Sequence, residues 1–218
     1  MRKILLILIA GTFVLSCKRD DSAGEEPDKE KLAFPFMKVG NQWNYTMLTA
    51  EGNTEVSYKI VDKSKEGYFK VLLGFVGSEF PPVEHYWHAD QKHFAMSTDW
   101  PESTEKFTLL KRDCKVGDHW QYFIPAPLDP KSDDLWGEIT YKVLEANSKV
   151  SAMGQVFNDV YKIRHTASSY PQYFADYYIS LSSGMIKLEG MGYVRIEDDE
   201  GDRVEYFPLE WRLKSKNF

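Results

Sequence analysis

The chain has 218 residues and an acidic balance, with 27 lysine and arginine residues, 33 aspartate and glutamate residues and a formal net charge of −6. This charge argues against nucleic acid as a partner, because nucleic-acid binding relies on basic surfaces. The two cysteines allow neither a disulfide framework nor a cysteine-based zinc site.

The first sixteen residues have the pattern of an export signal. Arg2 and Lys3 precede an uncharged, mainly apolar run from residue 4 to residue 15. This run is shorter than the about 20 apolar residues that cross a bilayer as a helix, and it fits the about 7–15 residue core of a signal peptide. We therefore expect residues 1–16 to be a lipoprotein signal peptide, removed from the mature chain.

The signal ends in a tetrapeptide, Val14-Leu15-Ser16-Cys17, that resembles the lipobox of bacterial lipoproteins. The resemblance implies that Cys17 is acylated and anchors the protein to a membrane, since several acyl chains hold a protein stably. The alternative is an ordinary cysteine within a signal core. If Cys17 is acylated, residues 17–33 are the acylated cysteine and a flexible charged tether, because the residues from 18 to 31 are charged, small or proline. Lys18 favours outer-membrane residence, with the surface or the periplasm as the side that the domain faces.

Residues 34–218 are predicted to form a single β-rich domain. Apolar and aromatic side chains alternate with polar ones in WNYTM and VSYKIV, which start at residues 43 and 56, and this is the period of a half-buried strand. Glycine-containing turns separate such segments at short spacing. The fold class is therefore all-β, or β-rich with a minor helix. Residues 101–113 could begin a helix, but we predict a strand there.

Two stretches of the domain recur in the same order. KVGNQWNY, residues 38–45, returns as KVGDHWQY at residues 115–122, and VSYKIV, residues 56–61, returns as ITYKVL at residues 139–144. Such self-similarity indicates repeated structural units. We expect one unit at about 34–100, a second at about 107–190 and a C-terminal hairpin at about 191–218. Together they would form a curved antiparallel sheet or half-barrel.

The Val-Gly-x-x-Trp-x-Tyr motif has two interpretations. Gly40 and Gly117 permit a sharp turn with positive φ, and the aromatic residues two positions apart then share one face of the next strand. The motif can be a corner of the core that is used twice. It can also line an aromatic ligand groove, and the candidate ligand-binding residues are Trp43, Tyr45, Trp120 and Tyr122.

The quoted motifs also carry a resemblance to a family. FPFMKVGNQWNY, the second motif and the closing YYISLSSGMIKLEG are similar to the repeated units and terminal hairpin of uncharacterised lipoproteins from Gram-negative bacteria. The resemblance implies a curved antiparallel sheet related to the half-barrels of lipoprotein carriers. It supplies no catalytic residues.

The residue types that carry chemistry form no recognisable site. His85 and His88 would point to opposite faces of a strand, and His93 would lie too far along it, so we expect no metal site. Cys114 is expected to be a buried thiol, and the acidic residues 197–202 a hairpin turn. No nucleophile elbow, phosphate loop or His-Glu-x-x-His motif occurs. We expect no catalytic residue, no metal and no cofactor.

Two functions remain from different classes. The first is a non-catalytic binding domain, tethered to the outer membrane through Cys17, whose aromatic concave face holds an apolar molecule, a glycan or a peptide. The second is a structural or protein-interaction lipoprotein of the cell envelope, in which the aromatic residues are core and a partner binds an outer face or an edge strand. The sequence leaves the oligomeric state open.

Overall fold

A computed structural model of the chain describes residues 33–49, 52–97, 107–126, 135–198 and 201–218. The chain divides into two units, Met1–Lys31 and Leu32–Phe218, and every described residue belongs to the second. The predicted signal peptide, Cys17 and the tether up to residue 32 lie outside the described residues. In the part of the chain that the structure describes, no helix is long and apolar enough to cross a membrane.

The prediction of an all-β fold is confirmed, because the described residues form twelve strands and no helix. The first six strands are β1 Gln42–Thr49, β2 Gly52–Lys63, β3 Tyr68–Phe75, β4 Val83–Ala89, β5 His93–Ser97 and β6 Thr108–Lys111. The second six are β7 His119–Ile124, β8 Gly137–Ala152, β9 Gln155–Ala167, β10 Phe174–Ser180, β11 Gly184–Asp198 and β12 Gly201–Lys216.

All twelve strands belong to one antiparallel sheet with the order β6-β5-β4-β3-β2-β1-β12-β11-β10-β9-β8-β7. The strands β6 and β7 are consecutive in sequence but lie at opposite edges. A flat sheet would separate these edges by about 50 Å, at ~4.8 Å per strand spacing. The eight chain steps from Lys111 to His119 reach at most about 29 Å. The sheet must therefore curl until its two edges approach each other.

The inner face of this curled sheet carries the core, as strand alternation requires. On β2, Val56, Tyr58 and Ile60 are buried, whereas the residues between them are half-buried or exposed. On β9, Ile163 and His165 are buried and alternate with half-buried residues. The predicted curved sheet is thus confirmed, with one apolar concave face.

One end of the curled sheet is closed by the segment that precedes β1. Phe34 and Phe36 are buried, and both pack against the ring of Phe94, with ring centroids 6.0 and 5.2 Å apart. Phe36 also contacts Trp43 edge to face. At Gly184, where φ is +80°, a Cβ atom would come within 3.2 Å of Phe36 and Trp43 ring atoms, so a side chain there would disturb the closure. The chain enters the domain at this closed end.

The two Val-Gly motifs form the same local structure. In the first, the Gly40 amide donates to Ile60 O at 2.9 Å, and the Ile60 amide donates back to Asn41 O. In the second, the Gly117 amide donates to Val143 O at 3.0 Å, and the Val143 amide donates back to Asp118 O. Both glycines have positive φ, at +94° and +93°. Each motif therefore locks a sharp turn onto the strand that follows its own strand.

Two further segments with a predicted structure are described in part. Of the stretch 101–113, in which a strand was predicted, β6 covers Thr108–Lys111, and residues 101–106 lie outside the described residues. The acidic stretch 197–202 joins β11 to β12: Glu197 pairs with Asp202 and Asp198 with Gly201. Residues 199 and 200 are outside the described residues, so only the two ends of this hairpin are seen.

Candidate functional site

The first pair of predicted ligand-binding residues lies in the core. Trp43 and Tyr45 are each 1 % exposed. The Trp43 indole N–H donates to Ser183 O at 2.8 Å, and the Tyr45 hydroxyl donates to Met185 O at 2.8 Å. Burial, followed by the charge of Tyr58, raises the pKa of Tyr45 well above its usual value. These polar atoms are used to bind β1 to the start of β11.

The second pair lies where the sheet edges meet. The Trp120 indole N–H donates to Thr108 O at 2.6 Å, and the Thr108 amide donates to the Tyr122 hydroxyl at 3.0 Å. Trp120 is 8 % exposed, and Tyr122 is half-buried. Lys111 places its Nζ 4.7 Å from the centroid of a Trp120 ring. We call this contact between β6 and β7 the seam; in the residues that the structure describes, no backbone ladder joins the two strands.

The four motif residues thus have structural partners, and their polar tips are occupied by the protein itself. A ligand would have to displace a backbone hydrogen bond to reach any of them. The geometry shifts attention to other inward-facing side chains, which lie between the closed end and the seam.

A second group of aromatic side chains faces the interior from β2, β8, β9, β10 and β12 and from the connection before β10. We call it the interior aromatic cluster, and its members are Tyr58, Tyr141, His165, Tyr173, Tyr177 and Trp211. The pairing register places the strand members on the inner face: Trp211 is opposite Leu188, Leu188 is opposite Tyr177, and Tyr177 is opposite Ile163. Directly opposed residues share a face.

One half of the cluster is a stack around Tyr58. The Tyr58 ring lies 5.9 Å from the Trp211 ring with an interplanar angle of 26°. Trp87 and His85 flank Tyr58 at 5.2 and 5.8 Å. Trp87 in turn contacts Trp43, so the stack continues down to the closed end. Desolvation by burial lowers the pKa of His85, which keeps this imidazole neutral at neutral pH.

The other half of the cluster is a stack around His165. Its ring lies 4.6 Å from that of Tyr141, with an interplanar angle of 5°. Its Nδ1 is 3.0 Å from the Tyr173 hydroxyl, and its ring centroid is 6.4 Å from that of Tyr177. Burial lowers the pKa of His165 to about 4, because the charged imidazolium would be poorly solvated. The histidine is therefore a neutral polar group at physiological pH.

Tyr177 adjoins the His165 stack, with its ring centroid 6.4 Å from that of His165. Burial raises its pKa to about 12, so its phenol is neutral. Burial is also the main reason why the pKa values of Tyr58 and Tyr141 are raised, and the Tyr177 hydroxyl adds to both shifts.

Two nitrogen atoms of the cluster lack a hydrogen-bond partner among the described residues, namely Trp211 Nε1 and His165 Nε2. Trp87 Nε1, next to the cluster, also lacks a hydrogen-bond partner among the described residues. Buried polar atoms in folded proteins are nearly always paired. At the same time, Tyr173, Tyr177 and Trp211 retain partial solvent exposure although they face inward.

The residues that could suggest metal or thiol chemistry lie apart from one another. His85 contacts Tyr58 in the interior, His88 contacts Tyr68, and His93 is 3.3 Å from an Asp90 carboxylate oxygen. Within the described ranges, no three His, Cys, Asp or Glu side chains come together as a metal site would need. Cys114 is buried, as predicted, and burial raises its pKa to about 11, which disfavours the nucleophilic thiolate.

The outer face carries a groove of about 330 Å³ beside β1, β2 and β12. It is lined by Thr46, Leu48, Asn53, Glu210, Arg212, Leu213 and Lys214. Its charged groups are already paired, because Arg212 binds Glu210 at 2.6 Å and Lys214 binds Glu55. The groove offers a ligand less unmet hydrogen-bonding capacity than the interior does.

The interior aromatic cluster was not predicted from the sequence, although one signal for it exists. Ile163, His165 and Ala167 alternate along β9, as do Leu209, Trp211 and Leu213 along β12. This alternation places His165 and Trp211 on an apolar face. Nothing in the sequence indicates that His165 stacks on Tyr141 or Trp211 on Tyr58, since the partners belong to strands far apart in the chain.

Comparisons with known proteins add a distant structural similarity. No protein-family model matches the chain, and no curated protein does so. Among solved structures, the chain is similar to the crystal structure of a "putative lipoprotein" from Parabacteroides distasonis, with 12 % sequence identity and a TM-score of 0.42. The match covers 85 % of this chain and 98 % of that one. At this score and identity, the similarity carries no argument about function.

Proposed function

We propose that the protein is a lipoprotein of the cell envelope that is anchored in the outer membrane by acyl chains on Cys17. The support is the order of features in the sequence: a basic start, a short apolar run, the lipobox-like Val-Leu-Ser-Cys and a charged tether. Lys18, directly after the cysteine, favours the outer membrane. Acyl chains would hold the domain without a transmembrane helix.

Metabolic labelling tests this anchor. Cells that express the full chain are fed an alkyne palmitate, and the protein is then examined for label. We expect labelled wild type and labelled Cys114→Ala, which is the matched control, but unlabelled Cys17→Ala. A labelled Cys17→Ala protein, or an unlabelled wild type, would overturn the anchor. Protease treatment of intact cells then shows whether the domain faces the surface or the periplasm.

We further propose that the β domain is non-catalytic and binds a small molecule against the interior aromatic cluster. The observation that carries this proposal is the coexistence of partly exposed inward rings with two unpartnered buried nitrogens, Trp211 Nε1 and His165 Nε2. Ring faces supply apolar contact area, and a few polar atoms fix orientation, as in most small-molecule sites.

Binding of the neutral dye Nile red tests this function. The full chain carrying Cys17→Ala serves as the reference, because acyl chains on the protein would compete for the dye. We expect saturable binding of one dye per chain, weakened about tenfold by Tyr177→Ala. The exposed Phe123→Ala, at a residue 71 % exposed, is the matched control and should bind as the reference does. Absence of saturable binding, or equal loss in both variants, would contradict an interior site.

An interaction lipoprotein is the second candidate, and a specific observation favours it. The connection between β3 and β4 exposes two large apolar side chains, Val76 at 61 % and Phe80 at 83 %. Large exposed apolar side chains are common in interaction surfaces. A photoreactive amino acid at position 80 should then crosslink an envelope protein in cells. The same amino acid at the exposed Val116 is the control, and equal crosslinking at both positions would remove this candidate.

A further inference from the structure

The polar atoms of the interior aromatic cluster restrict the chemistry of its ligand. The Trp211 indole N–H can only donate a hydrogen bond, so it requires an acceptor atom from the ligand. His165 Nε2 can donate or accept, because the Tyr173 hydroxyl at Nδ1 is compatible with either tautomer. A hydroxyl group, which both donates and accepts, satisfies His165 in both tautomers. An oxygen-bearing ligand is thus favoured over a pure hydrocarbon.

The charges of the surrounding strands restrict the ligand further. The charged residues of β9 and β10 alternate with the inward-facing ones and pair with each other on the outer face. Arg164 and Lys162 bind Asp176 at 2.7 and 3.1 Å. On β11, Lys187 binds Glu189 in the same way. These charges neutralise one another away from the interior.

Lys216 lies near the inner face, but its contacts are at the closed end. Lys216 pairs with Trp43 in the register of β1 and β12, and its Nζ donates to Ser183 Oγ at 3.0 Å. It also lies 4.5 Å from the ring centroid of Phe218. Within the cluster itself, the tyrosines and His165 are neutral. A carboxylate or phosphate placed there would lose its hydration without gaining a cationic partner.

We infer that the interior aromatic cluster takes a neutral, largely apolar molecule with ester or hydroxyl oxygens, of the acylglycerol class, whose oxygen accepts a hydrogen bond from Trp211 Nε1. This inference rests on the proposed binding function and adds the class of ligand. The apolar part contacts the partly exposed rings of Tyr173 and Tyr177. An anionic lipid with the same acyl chain should bind more weakly, because the cluster has no positive charge to pair with it.

Competition between two lipids with the same acyl chain tests the inference. The full chain carrying Cys17→Ala is loaded with Nile red at pH 8, and the dye is displaced by 1-lauroylglycerol or by laurate below their micellar concentrations. We expect 1-lauroylglycerol to displace the dye with an affinity at least tenfold higher than that of laurate. Trp211→Phe should lower the affinity for 1-lauroylglycerol about tenfold and leave the affinity for laurate unchanged. Trp136→Phe, at a side chain outside the cluster, is the matched control.

The outcomes separate the ligand class from the binding function. If Nile red does not bind in a saturable way, the binding function itself fails. If the dye binds but laurate displaces it as well as 1-lauroylglycerol does, the function stands and the neutral class is wrong. If the preference is present but Trp211→Phe and Trp136→Phe behave alike, the hydrogen bond from Trp211 is wrong.

Discussion

The two Trp-x-Tyr motifs have the same turn, the same hydrogen bonds to the following strand and the same register, yet they hold together different parts of the sheet. The first lies on β1, which pairs along its length with the 16-residue β12. The second lies on β7, which faces the four-residue β6 and pairs only with β8. At the first junction a backbone ladder joins the strands. At the second, Trp120 and Tyr122 do so through Thr108.

The length of the neighbouring strand decides the role of each aromatic motif. Where the neighbouring strand is long, the ladder satisfies the backbone, and the polar tips of the motif bind the start of β11 from inside the core. Where the neighbouring strand is short, the same tips replace part of the missing ladder. The molecule therefore has one strong and one weak junction, and the weak one should open first.

Removal of the tryptophans should give the largest effect. Trp43 is surrounded by the rings of Phe36, Trp87 and Phe218, so Trp43→Ala should lower the free energy of unfolding by about 4–5 kcal/mol. Trp120 lies at a sheet edge that can relax, and Trp120→Ala should cost about 3 kcal/mol. Urea unfolding measures both, with Trp136→Ala as the control. An equal or larger cost for Trp120→Ala would contradict the ranking of the junctions.

Acid should destabilise the second half of the sheet more than the first. The pKa of His165 is about 4 in the folded protein, below the ordinary value of 6.5, so the unfolded chain binds a proton that the folded chain does not. The contribution of His165 to the free energy of unfolding is complete above pH 6.5 and falls by about 3 kcal/mol as the pH drops to 4. His85 is shifted in the same direction but is only half-buried.

Variants separate the two histidines from the carboxylates that titrate in the same range. The loss of unfolding free energy between pH 6.5 and pH 4 should shrink in His165→Phe by more than in His85→Phe. If both variants keep the pH dependence of the wild type, burial of a neutral His165 is not its source.

Removal of single tyrosine hydroxyls should lower the free energy of unfolding by less. At one junction the effect should be global, and at the other it should also be local. Tyr45→Phe should cost about 1–1.5 kcal/mol of global stability, because the fully buried Met185 O loses a hydrogen bond. Tyr122→Phe should cost about 0.5–1 kcal/mol. It should also accelerate hydrogen exchange of the Thr108 amide about tenfold, since this N–H loses its acceptor at the seam. Unchanged exchange at Thr108 in Tyr122→Phe would show that the seam is held by other contacts.

Substitution of the two motif glycines should give the smallest effects and no difference between the junctions. Gly40 and Gly117 have nearly the same positive φ, and an added Cβ would meet no atom within 4 Å at either position. Gly40→Ala and Gly117→Ala should therefore each cost about 1 kcal/mol, through backbone strain alone. Thermal unfolding of both variants checks this. A cost that differs by more than twofold would mean that the turns are less alike than their hydrogen bonds indicate.

The sequence predicts the all-β class and the inward face of most strands, because alternation in stretches such as 56–61 depends only on local pattern. It does not predict that β1 pairs with β12 while β6 and β7 form the edges. That pairing depends on relative strand length and on contacts between segments more than 150 residues apart, such as Trp43 with Lys216. The interior aromatic cluster depends on the same long-range pairing. The anchor at Cys17 stays a prediction of the sequence alone.

The most direct test of the account is to locate a bound lipid. A lauroylglycerol that carries a diazirine on its acyl chain is bound to the full chain with Cys17→Ala, irradiated and mapped by mass spectrometry. We expect adducts on β10 and β12 at or next to Tyr177 and Trp211, and we expect them to be lost on competition with 1-lauroylglycerol. Adducts confined to exposed apolar residues such as Phe80 and Phe123 would contradict an interior binding site.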